Sequence, residues 1–66
     1  MPIKSREYHK RELLRGSNTL FWTYKHVLTV AEDYQEYHPE LAAQALAILD
    51  ALVKVNEAIE ALNEQI

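Results

Sequence analysis

Sixty-six residues leave room for one small domain, and 10 acidic against 7 basic side chains give a formal charge of −3 with the three histidines neutral. An apolar share of 48% with one glycine and two prolines excludes a disordered tail. The absence of cysteine excludes disulfides and thiolate zinc sites.

The first element is predicted over residues 5–15, where Tyr8, Leu13 and Leu14 sit among good helix formers. It is basic: Lys4, Arg6, Lys10, Arg11 and Arg15 give residues 1–15 a net charge of +3, against −6 for residues 16–66. Cations in this arrangement are candidate phosphate contacts, with Tyr8 or His9 available to stack on a base. Glu7 and Glu12 interrupt them, and the negative whole opposes steering toward nucleic acid. Nucleic acid is therefore the alternative partner and not the favoured one.

Gly16-Ser17-Asn18 reads as a helix stop followed by a new cap. The competing reading is one helix over 5–37 with a tolerated glycine, since an interior glycine costs about 1 kcal/mol. The cap chemistry favours a break. A first long helix is then expected over 19–37, with Leu20, Tyr24, Val27, Ala31, Tyr34 and His38 at alternating four and three spacing. Phe21 and Leu28 widen that stripe, and Trp22, His26, Val30 and Tyr37 form a row apart from it.

A turn is expected at 37–39, because the residue before proline is pushed out of the helical region and Pro39 suits a first helical position. The second long helix, 39–66, carries a heptad seam of coiled-coil type: Leu41, Ala45, Ile48, Leu52, Val55, Ile59, Leu62 and Ile66. Leu46, Leu49 and Val53 lie off that line. No apolar run approaches the roughly 18 residues of a membrane span, the longest being 45–49, and the first residues lack a signal's apolar core. The expected place of work is the cytoplasm, without a membrane.

The fold class follows: an all-α helical hairpin with a short N-terminal helical segment, one domain over 1–66. Each long helix has a second apolar row, and a chain this short and unstapled often completes its core by oligomerising. Burying those rows in a second copy gives a four-helix bundle dimer. The expected partner or self-association surface comprises Trp22, Tyr24, His26, Val30, Tyr34, Tyr37, Leu46, Leu49 and Val53.

Chemistry is sparse. No Glu-x-x-His or His-x-x-x-His pair is present, so His9, His26 and His38 do not form a helical metal site, and no cofactor is expected. Ser5 and Ser17 have no histidine at an activating spacing. Glu32, Asp33 and Glu36 could join Glu57, Glu60 and Glu64 around magnesium, as the carboxylates of all-helical nucleotide hydrolases do, only if a second chain brought the clusters together. The function expected is that of a small, non-catalytic, self-associating interaction or regulatory protein. Nucleic-acid binding is the alternative, and a magnesium-dependent nucleotide hydrolase the third reading.

Overall fold

Ser5 opens the first helix by capping it: its backbone is extended, and its Oγ accepts from the Tyr8 N–H at 3.2 Å. In the computed structural model, which describes residues 5–66, α1 then runs unbroken over Arg6–Tyr34 and α2 over Pro39–Gln65. Lys4, one of the candidate phosphate contacts, lies outside the described residues.

The break expected at 16–18 is absent. Ser17 does not cap; its Oγ donates across the hairpin to Asn56 Oδ1 at 2.6 Å. Thr19 follows suit, donating back to the Arg15 carbonyl at 3.0 Å within the continuing helix. Helix on both sides of Gly16 is held against α2, which outweighs the local cost of the glycine. The basic segment and the first long helix are consequently one element. That element also stops earlier than the expected 37, with residues 35–37 forming the turn.

His38 carries the reversal with φ −141° and ψ 73°, and Pro39 starts α2. The His38 N–H donates to the Tyr34 carbonyl at 2.9 Å, and the His38 carbonyl accepts from Ala42 N–H at 3.0 Å, so the turn leaves few backbone groups unpaired. No positive φ is needed among the described residues. The result is an antiparallel hairpin measuring 53 × 18 × 16 Å.

Its core is thin. The buried apolar residues are Ala31, Ala42, Ala45 and Leu49, all near the turn. The seam continues toward the open end through half-buried Leu13, Leu20, Tyr24 and Leu28 on α1 and Leu52, Asn56, Ile59 and Asn63 on α2. The α2 residues facing α1 are thus Ala42, Ala45, Leu49, Leu52, Asn56, Ile59 and Asn63, and not the whole of the expected heptad line. Leu41, Ile48, Val55 and Leu62 are turned outward.

Candidate interaction surfaces

Each residue advances a helix by about 100°, so a side chain's bearing relative to the seam follows from its number. Right-handed antiparallel helices turn in mirrored senses, which sorts the flanking positions of α1 and α2 into two shared faces. On one face lies a groove of about 520 Å³, walled by Asn18 and Phe21 from α1 and by Val53, Glu57 and Glu60 from α2. At its floor, Ser17 donates to Asn56, whose Nδ2 donates to Glu60 Oε1 at 3.2 Å.

The opposite face is different in chemistry. On α2 its positions are Leu41, Gln44, Ile48, Ala51, Val55, Ala58 and Leu62, and on α1 they are Gly16, Thr23, Val27, Val30 and Tyr34. On α2 no charged residue stands among them, while on α1 Glu12 shares the bearing of Val30. Leu41, Ile48, Val55 and Leu62 each keep 44 to 49% of their surface exposed, and Val30 and Tyr34 are also open to solvent. A stripe of this length is long for the surface of a finished monomer, where apolar residues are usually scattered.

The residues anticipated as a partner surface divide in consequence. Leu49 is 5% exposed and belongs to the hairpin's own core, and half-buried Tyr24 lies in the seam and lines the groove. Both are consumed within the chain, because the seam is rotated toward them. Leu46 and Val53 are exposed on the groove face. Val30 and Tyr34 belong to the face opposite the groove, with the Tyr34 ring edge-on to His38 at 5.5 Å. Trp22, His26 and Tyr37 point away from the seam, Trp22 being 58% exposed. Lys25 Nζ lies 5.4 Å from the Trp22 ring centroid and 5.3 Å from that of Phe21, covering part of both rings. Tyr8, Leu14, Phe21 and the α2 stripe of Leu41, Ile48, Val55 and Leu62 are the exposed large apolar residues that the expected surface omitted. The stripe was visible in the heptad pattern, but there it was assigned to the hairpin's interior.

The described cations Arg6, Lys10, Arg11 and Arg15 are exposed. They form two lines on α1, Arg6 with Lys10 and Arg11 with Arg15, about 140° apart. Arg15 is engaged by Glu12 at 3.3 Å. Among the described residues no three His, Asp or Glu side chains are grouped closely enough to hold a metal ion. Glu32, Asp33 and Glu36 gather at the turn, while Glu57, Glu60 and Glu64 lie along the far half of α2. None of the described helices is long and apolar enough to cross a membrane.

No protein-family model, curated protein or solved structure matches the chain.

Proposed function

We propose that this hairpin is a self-associating interaction module, two copies forming a four-helix bundle, with no catalysis of its own. The observation that carries the reading is the divided heptad stripe of α2. Ala45, Leu52 and Ile59 face α1, while Leu41, Ile48, Val55 and Leu62 remain exposed beside them. A helix whose apolar positions serve two neighbours at once is patterned for a bundle, where each core-facing helix shows a wide stripe and not a single seam. Burial in a second copy leaves the groove face and the Phe21, Trp22 and Lys25 cluster on the outside, free to hold another protein. Aromatic side chains of this kind supply large contact area at low entropic cost. We place the module in the cytoplasm.

Contact with nucleic acid through the α1 N-terminus has less geometry behind it, because its cations are split between two lines and one is engaged by a carboxylate. Sedimentation equilibrium at micromolar concentration is expected to give twice the chain mass of 7.7 kDa. A single-copy mass with full helicity would defeat the reading.

A further inference from the structure

Resting on that reading, we infer that the second copy docks antiparallel on the face opposite the groove, the turn of each hairpin lying beside the open end of the other and the uncharged stripe of α2 packing on its symmetry mate. The area available matches the need. The chain exposes 5604 Å², whereas a compact monomer of 7.7 kDa exposes about 4,300 Å². The excess covers the roughly 800 Å² per partner of a standard stable interface.

The stripe itself is symmetric about its middle. In an antiparallel pair with the two-fold axis between Ile48 and Val55, Leu41 comes level with the partner copy's Leu62 and Ile48 with its Val55, so apolar meets apolar along the whole length. The same axis sets the level on α1. Ser17 is bonded to Asn56, and antiparallel helices rise equally, so residues 21 and 22 of α1 stand level with the axis. Gly16 then lies level with Val27 of the second copy. A β-carbon built on Gly16 meets nothing within 4 Å, so this face has a hollow where the other copy presents a branched side chain.

Charge selects the direction. The turn end carries Glu32, Asp33, Glu36 and Glu40, while residues 6–15 at the open end have a net charge of +2. Pairing turn to turn would double the acidic cluster, and like charges held together disfavour an arrangement. Pairing turn to open end instead sets the acidic turn of each copy beside the basic open end of the other.

Because the chain has no cysteine, single-cysteine variants report the arrangement cleanly. Leu41→Cys and Leu62→Cys are unfolded and refolded separately and as an equal mixture, then oxidised mildly, with sedimentation run on the reduced samples. The mixture is expected to yield a 41-to-62 disulfide between the two variants. Each variant alone is expected to yield less than about a tenth as much, since like positions lie some 30 Å apart along the bundle at 1.5 Å per residue. Twice the chain mass with efficient self-linkage of either variant, or with no linkage in the mixture, overturns the antiparallel arrangement and leaves self-association standing. A single-copy mass for the unmodified chain overturns both.

Discussion

The two halves of the hairpin seam are built from different materials. Near the turn, Ala31, Ala42, Ala45 and Leu49 are each no more than 6% exposed, and three small side chains let the helices approach closely. Toward the open end the corresponding α2 positions are Asn56 and Asn63, opposite a part of α1 that includes Gly16 and Ser17. Asn56 accepts a hydrogen bond from Ser17, while Asn63 Oδ1 is buried without a partner. The turn half is held by burial, and the open half is held in register by one polar layer. A paired amide in an apolar seam selects alignment at some cost in stability. The open half therefore has more to gain from a second copy, and the exposed stripe of α2 extends across it through Val55 and Leu62.

Substitutions along the seam can break this contrast. The largest effect is expected at Leu49→Ala, a loss of about 2–5 kcal/mol, because it empties the largest buried side chain of the turn half. Urea melts at fixed protein concentration measure it, and a loss under about 1 kcal/mol would mean that the turn half is not where the stability resides. Asn56→Ala is expected to cost less, about 1 kcal/mol, since Ser17 loses its partner where solvent reaches in part. Pairing Ser17→Ala with Asn56→Leu should reverse that sign; a double variant no more stable than Asn56→Ala would show that the polar layer contributes more than alignment. Smallest of the three is Gly16→Ala, expected to gain about 0.5–1 kcal/mol from helix propensity in dilute protein, where the added methyl meets open space within the hairpin, and to lose that gain as the second copy fills the hollow. Thermal melts over a range of protein concentrations check it, and a gain that persists undiminished at high concentration would mean that no second copy enters the hollow at Gly16.

Much of the architecture was legible from residue order. Pro39 and the His38 before it mark the chain reversal, and both helices show unbroken apolar periodicity. Residues 16–18 look like a break in the sequence, but serine and asparagine are stop signals only when their side chains are spent locally, and glycine only where the chain takes a positive φ, which it does not here. Here Ser17 is spent on Asn56, a residue 39 positions away, which no local pattern reveals. The surface residues were legible in part. Trp22 and Tyr37 stand off the seam at the bearing their numbers imply, but Leu49 and Tyr24 turned inward and Leu41, Ile48, Val55 and Leu62 turned outward.

Sequence by itself determined that this chain makes two long helices, where they meet, and how wide an apolar stripe each carries, because these depend on propensity, proline stereochemistry and spacing within a single segment. The tertiary structure decided the rotation of α2 about its own axis, roughly 50° from the centre of its heptad line. Ala42 and Leu49 could face α1 as readily as Leu41 and Ile48, and close approach favours the side bearing the smaller residue. Periodicity sets a stripe's width, while its bearing is chosen by the neighbour against which it packs.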